Sequence, residues 1–187
     1  MSVLKSINPA NEEMFAEFQE IDLAATKQIV SDSSIAQKQW ARFDIKDRIS
    51  IISDVGEMIT KNSKQYAKII TAEMGKPILE AVAEVEKCAL VCEYYAEHSE
   101  EFLKDKYIKS NAVTSFASYE ALGIILGIMP WNFPFWQVFR FAAPNLMAGN
   151  TGLLSHAPIS TGTGEAIEAL FKEAGFPDSV FRSVVVE

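Results

Sequence analysis

Gly123-Ile-Ile-Leu-Gly-Ile-Met-Pro-Trp-Asn-Phe-Pro134 combines an unbroken apolar run with an abrupt stop between two prolines. Such a run is typical of a strand whose sheet is covered by helices on both faces. Open α/β sheets bind ligands where their strands end and helices begin, and Asn132 lies at that point. Its NH₂ group can donate to a developing oxyanion while staying uncharged. An ordinary turn with a solvated asparagine fits the same spacing.

The C-terminal half of the chain alternates strands and helices. Apolar runs predict strands over 123–129, 151–156 and 180–186, and helical spacing predicts helices over 135–148 and 161–174. Strands joined by crossover helices form a parallel sheet with right-handed connections. The sequence therefore predicts an α/β fold that contains half of a Rossmann-like, dinucleotide-binding sheet.

The N-terminal half predicts a helical layer between two small hairpins. Residues 3–19 predict two short strands around a turn, and the alternation over 107–119 predicts a second hairpin. Capping residues and glycine or proline punctuation mark the helices between them. The predicted helix boundaries are Asp22 to about Gln39, a start at Asp44, a separate helix from Asn62-Ser63 to near Gly75, and a long helix from about Ile78 to Leu103.

Composition restricts the class of protein without identifying it. The 187 residues are 49% hydrophobic and 22% charged, which is typical of a globular chain of one or two domains. A net charge of −8 argues against a nucleic-acid partner, and no apolar run is long enough to span a membrane. The first residues show no signal-peptide segment, so we expect a cytoplasmic protein. Cys88 and Cys92 are four apart on a predicted helix, where packing thiols are more common than a metal or redox pair, so no metal site is predicted.

Several ordered motifs resemble the aldehyde dehydrogenase family. Met129-Pro-Trp-Asn-Phe-Pro134 is similar to its PWNFP motif, and Glu73-Met-Gly-Lys-Pro77 to its E-x-G-K-P segment. Further similarities lie at Ile7–Ala10, 148–154 and 174–177, which resemble the family's opening hairpin, its second cofactor-domain strand and the end of the following helix. The resemblance implies an enzyme that oxidises a small aldehyde with a nicotinamide nucleotide, NAD or NADP. It also implies that Asn132 supports the oxyanion, and that Met129, Pro130, Trp131 and Asn132 touch the cofactor.

The segment Ser155-His156-Ala157-Pro158 departs from the family pattern. It matches the end of the second cofactor-domain strand, where the family usually has a lysine that contacts the adenosine ribose or its 2′-phosphate. The hydroxyl of Ser155 can bond a ribose but cannot pair with a phosphate, so NAD is favoured over NADP. His156 has either a packing role or a direct one. The following Thr161-Gly-Thr-Gly164 lacks the G-x-G-x-x-G spacing and predicts a helix start.

Arg140 is the clearest indication of substrate. It follows Asn132 by eight residues and Trp136 by four, which predicts one shared helix face leading away from the site. Arginine is well shaped to hold a carboxylate through two hydrogen bonds. The resemblance implies a succinate-semialdehyde dehydrogenase type, in which an arginine at this place binds the substrate carboxylate. A solvated or otherwise paired surface arginine is the alternative.

The resemblance covers less than half of a usual family member. Residues 1–187 are therefore expected to form an incomplete cofactor-binding domain without the catalytic domain. It comprises 1–106 with a hairpin and helices, 107–120 as a bridging or oligomerisation hairpin, and 121–187 as the partial Rossmann-like unit. The family's nucleophilic cysteine, base glutamate and second glycine-rich turn have no match here, so we expect the chain to be inactive alone, whereas full-length relatives would be homo-oligomers. The alternative is a non-catalytic remnant that binds nucleotide weakly or associates with full-length subunits.

Overall fold

The computed structural model describes residues 2–186, in which a helical layer precedes a parallel sheet. The first elements form an antiparallel hairpin, and a second, minimal hairpin lies between the helical layer and the parallel sheet. The strands are β1 (Val3–Ile7), β2 (Met14–Gln19), β3 (Lys106–Tyr107), β4 (Phe116–Ala117), β5 (Ile124–Met129), β6 (Thr151–His156) and β7 (Phe181–Ser183). The helices are α1 (Leu23–Trp40), α2 (Ile45–Met74), α3 (Ile78–Leu103), α4 (Trp136–Met147) and α5 (Thr161–Glu173).

The predicted helix starts and stops are confirmed. The carboxylates of Asp22 and Asp44 accept hydrogen bonds from the backbone at the first turns of α1 and α2. Gly75 ends α2 in the left-handed conformation at φ 75°, which glycine adopts without steric cost. The predicted start of a further helix at Asn62-Ser63 is also confirmed. Asn62 is non-helical at φ −111° and ψ 15°, and two helical segments meet there at a kink within α2.

The sheet is parallel, as predicted, and its strand order is β5-β6-β7. Its register pairs Met129 with His156, and Leu154 with Ser183. This register brings the turn after β5 beside the segment 155–158 at one edge of the sheet. The third strand is shorter than predicted, because β7 covers only 181–183 of the expected 180–186.

One face of β5 is open, which corrects the expectation of a strand covered on both sides. Gly127 faces inward, and a Cβ there would lie 2.8 Å from the Phe141 ring of α4. On the other face, Leu126 is 56% exposed and Ile128 is 75% exposed. The unbroken hydrophobic run of β5 fits a strand that is covered on both faces, but the described residues cover only one of them.

Aromatic rings join the helices to the sheet. Phe139 of α4 stacks on Phe171 of α5, with ring centroids 5.4 Å apart, and Phe171 contacts Phe181 of β7 at 4.7 Å. Phe135 extends this stack from the start of α4. These rings are nearly or fully buried, and burial of large aromatic side chains is a major contribution to core stability. Among the described helices, none is long and apolar enough to cross a membrane.

Candidate active site

The turn between β5 and α4 holds Asn132 at the sheet edge with its side chain exposed. Residues 131–133 form bends, and α4 begins only at Trp136. Trp131 is 52% exposed and Phe133 is 45% exposed beside it. The backbone carbonyl of Asn132 accepts a hydrogen bond of 2.8 Å from Lys76 Nζ. Lys76 therefore holds the backbone of Asn132 in place, while the amide side chain of this residue stays accessible.

A buried ion pair between Lys76 and Glu84 holds the turn. Lys76 Nζ donates to Glu84 Oε2 and lies 4.0 Å from the centroid of the Phe133 ring. The other oxygen of Glu84 accepts from the backbone nitrogens of Phe135 at 2.9 Å and Trp136 at 3.0 Å. These are unpaired donors at the start of α4, where a carboxylate is favourable. The α2–α3 junction thus fixes both the turn and the helix that follows it.

Sequence reasoning missed the role of Glu84. It is 5% exposed, although an ionised side chain is rarely buried without partners. The available signal was a glutamate flanked by Ala81 and Val85 on the buried side of the helix. Lys76 was noted only as part of the E-x-G-K-P resemblance.

His156 closes the turn from the end of β6. Its Nδ1 accepts a hydrogen bond from the backbone nitrogen of Ala157 at 2.9 Å. Its Nε2 therefore carries the proton and donates to the carbonyl of Pro134 at 2.9 Å. Burial lowers the pKa of His156, opposed by the Pro134 hydrogen bond and the negative charge of Glu84. Both ring nitrogens are thus engaged within the protein, which favours the packing alternative for His156, as a neutral brace.

Glu73 accepts hydrogen bonds from the backbone at the start of α5, as Glu84 does at the start of α4. Its carboxylate accepts from the backbone nitrogens of Gly162 at 2.7 Å and Thr163 at 2.9 Å, and from the Thr163 hydroxyl at 2.6 Å. A Cβ on Gly162 would lie 2.7 Å from Glu73 Oε1, so glycine makes room for the carboxylate. Burial raises the pKa of Glu73, while hydrogen bonds from Thr163, Gly162 and Ser6 oppose that change. The prediction that Thr161–Gly164 starts a helix is confirmed.

The segment 155–158 lies alongside the turn. The backbone nitrogen of Ala157 donates to the carbonyl of Met129 at 3.0 Å, which ties the ends of β5 and β6 together. Ser155 is partly buried beside this link, and Pro158 begins a short 3₁₀ helix, Pro158–Ser160. With Trp131 exposed nearby in the turn, these residues present a hydroxyl and an aromatic face. Both suit a nucleoside, through a ribose hydrogen bond and ring contact.

Arg140 lies in a groove between α3 and α4, away from the turn. The groove has a volume of about 430 Å³ and is lined by Lys87, Leu90, Val91, Tyr94, Tyr95, Trp136 and Arg140. The guanidinium carbon of Arg140 is 5.9 Å from the Trp136 ring centroid, which confirms their shared helix face. The extension of that face to Asn132 is wrong, because Asn132 precedes the helix.

Neither cysteine can act as a nucleophile in this conformation. Cys88 and Cys92 are fully buried on α3, and burial raises the pKa of both thiols. A thiolate is the reactive form of cysteine. Among residues 2–186, no group of three or more histidine, cysteine, aspartate or glutamate side chains is placed to hold a metal ion.

A parallel sheet whose strands end in turns that lead into helices is characteristic of α/β domains that bind ligands at that end of the sheet. The chain belongs to the aldehyde dehydrogenase family, whose model matches residues 2–187.

Relatives with assigned names agree on one branch of the family. A protein of Escherichia coli K12 named succinate semialdehyde dehydrogenase [NAD(P)+] Sad is 39% identical over 176 residues, which is 94% of this chain and 38% of that relative. A protein of Synechocystis named probable succinate-semialdehyde dehydrogenase [NADP(+)] is 50% identical over 130 residues, which is 70% of this chain and 29% of that relative. The chain thus spans well under half the length of these relatives.

A solved structure shares the fold over almost the entire chain. Succinic semialdehyde dehydrogenase from Streptococcus pyogenes, in complex with NADP+, superposes with a TM-score of 0.94 at 28% identity. The match covers 98% of this chain and 41% of that one. The arrangement of helical layer, hairpins and parallel sheet is therefore that of the corresponding part of a family member.

Proposed function

We propose that this chain is the N-terminal part of an NAD(P)-dependent oxidoreductase that oxidises succinate semialdehyde to the acid. The observation that carries the substrate assignment is Arg140, an exposed guanidinium in the α3–α4 groove, which has no carboxylate partner among the described residues. A free guanidinium at a groove is suited to a carboxylate ligand. The names of the E. coli and Synechocystis relatives support the same aldehyde.

Asn132 is proposed to stabilise the oxygen of the aldehyde as it gains negative charge. An amide NH₂ is an effective donor to such an oxygen when its position is fixed in advance. The Lys76 hydrogen bond to the Asn132 carbonyl and the Glu84 cap on α4 supply that fixation. The attacking thiolate is proposed to come from outside these 187 residues, because Cys88 and Cys92 are buried.

The nucleotide is proposed to lie along Met129, Pro130, Trp131 and the segment Ser155–Pro158. When bound there, it accepts the hydride released from the substrate. The Ser155 hydroxyl would bond a ribose, and no cationic side chain occurs in 155–158 to pair with a 2′-phosphate. We therefore propose a preference for NAD, although the Synechocystis relative is named for NADP(+).

The substrate assignment is tested in a chimera that joins residues 1–187 to the remaining part of the E. coli relative. Arg140→Leu should lower kcat/KM for succinate semialdehyde by about 10- to 150-fold, which is the loss of a charge-assisted contact. Butanal, the uncharged counterpart, should be oxidised nearly as before or faster. Steady-state kinetics with both aldehydes provide the measurement.

Two other outcomes have distinct meanings. Equal losses for both aldehydes, together with a lower Tm, would make Arg140 a packing residue and remove the succinate-semialdehyde assignment. A folded chimera that oxidises neither aldehyde would favour the non-catalytic alternative, in which the chain binds nucleotide weakly or associates with full-length subunits.

The cofactor preference is tested in the same chimera by Ser155→Lys. A lysine there should improve NADP binding more than NAD binding, by about 1–3 kcal/mol if it pairs with the 2′-phosphate. Isothermal titration calorimetry with each nucleotide measures the difference. An unchanged ratio of the two dissociation constants would remove Ser155 as the source of preference.

A further inference from the structure

The groove between α3 and α4 contains a second cation besides Arg140. Lys87 Nζ of α3 lies 4.1 Å from the Trp136 ring centroid, and the Arg140 guanidinium carbon lies 5.9 Å from the same centroid. Two positive groups from different helices therefore converge on one indole. The face of an aromatic ring attracts cations, so Trp136 holds both in the groove.

These two cations have no acidic counterpart in the groove. Its lining contains no aspartate or glutamate, and α4 carries none along its length. Glu84, one turn before Lys87, is already engaged by Lys76 and the start of α4. Glu86 is adjacent to Lys87 in sequence, and adjacent residues on a helix do not face each other.

The overall charge makes this arrangement informative. The chain has a net charge of −8, yet this groove collects two positive side chains and no negative one. Within residues 2–186, neither Lys87 nor Arg140 has a carboxylate within ion-pair distance. Like charges that converge without a counterion repel each other, and an anionic ligand would relieve that repulsion.

We infer that Lys87 is a second carboxylate contact of this groove, acting with Arg140 to select aldehydes that carry a terminal carboxylate. The inference rests on the proposed function and adds a specificity-determining residue to it. Leu90, Val91 and the tyrosine rings supply an apolar wall for a short methylene chain. The groove thus matches a short aliphatic carboxylate, with its charge near Trp136 and its chain along α3.

The test uses the 187-residue chain itself and a stable probe, butanoate, which has the carbon chain and carboxylate of the substrate without the aldehyde. Binding is followed by NMR at the indole N–H of Trp136, which is assigned by loss of its signal in Trp136→Phe. Butanoate should shift this signal saturably, and butanamide, its uncharged counterpart, should not. Raising the salt concentration should weaken the effect, because exposed charges are screened.

Lys87→Met should weaken butanoate binding about three- to tenfold, as expected for one exposed charge contact. Lys87→Arg should keep binding within about twofold, because the charge remains. Lys68→Met is the matched control. Lys68 is exposed on α2 and outside the groove, so this variant removes the same charge and should bind as the unmodified chain does.

The outcomes separate this inference from the function on which it rests. If Arg140→Leu weakens binding and Lys87→Met does not, the role of Lys87 is overturned and the proposed substrate stands. If Lys68→Met weakens binding as much as Lys87→Met, the effect is one of net charge and the inference is again overturned. If neither groove variant changes butanoate binding, or if butanamide binds equally well, the groove is not a carboxylate site and both proposals are overturned.

Discussion

His156 connects the end of β6 to Pro134, the proline that completes the turn bearing Asn132. Both ring nitrogens are engaged, one as acceptor and one as donor. A second proton on the ring would remove the acceptor that Ala157 requires. Burial of the ring also disfavours the charged form, so the pKa of His156 is lowered. The brace therefore works only with a neutral imidazole.

The folded chain should lose stability as the pH falls through the ordinary histidine range. Because the pKa of His156 is lower in the folded state, the unfolded chain binds the proton first below about pH 6.5. The stabilisation is present above that pH and is lost as pH falls toward the folded-state pKa. Urea unfolding between about pH 5 and 8 should show this decline, and His156→Gln should reduce its slope.

The control for this prediction is His98→Gln. His98 is the chain's other histidine, and it lies partly exposed on α3, away from the turn. This variant should keep the pH dependence of the original chain. An equal reduction of slope in both variants, or none in His156→Gln, would show that other groups control the acid sensitivity.

At the scale of elements, Glu84 joins α3 to the start of α4 through one carboxylate. Glu84→Gln should lower the free energy of unfolding by roughly 3 kcal/mol, because it leaves the ammonium of Lys76 buried without its counter-charge. Urea unfolding, followed by circular dichroism, measures the loss. Glu86→Gln, on the same helix but exposed, should change stability by less than about 0.5 kcal/mol. Similar losses in both variants would contradict the assigned role of the pair.

The order and type of the elements could be predicted because they depend on local signals. Asp22 and Asp44 as caps and Gly75 as a left-handed stop act within a few residues, and the structure confirms them. The further helix start at Asn62-Ser63 is another local signal, and the non-helical backbone of Asn62 confirms it. The third strand is different: it ends at Ser183, where its pairing with β6 ends, although apolar residues continue beyond it.

The position of the candidate site could be predicted from the sequence, but the long-range contacts that support it could not. Parallel register alone places Asn132 and the segment 155–158 at one sheet edge. The support from Lys76 and Glu84 crosses more than fifty residues of sequence, so spacing gives no indication of it. The groove that holds Arg140 depends on how α3 packs against α4, and its second cation, Lys87, was therefore missed.

At the scale of the whole molecule, both thiols lie inside the helical layer. Gly56 of α2 lets that helix approach α3 closely, since a Cβ there would lie 3.3 Å from the Cβ of Cys92. In the native chain Cys88 and Cys92 should react with an aromatic disulfide reagent at least about 100-fold more slowly than in about 8 M urea.

The chain alone should also fail to reduce NAD in the presence of succinate semialdehyde. Activity that is abolished by Cys88→Ser would contradict this prediction.

The carboxylates of Glu73 and Glu84 have one more consequence, for where phosphate can go. The amino ends of helices that follow parallel strands are ready-made anion sites, and dinucleotide folds commonly use one for the pyrophosphate. Here α4 and α5 both bind an anion that belongs to the protein itself. A dinucleotide phosphate could bind at either helix start only by displacing the carboxylate that is already bound there. The phosphates of the proposed nucleotide must therefore be held elsewhere, and the contacts expected from this half of the sheet are to its sugars and rings instead of its charge.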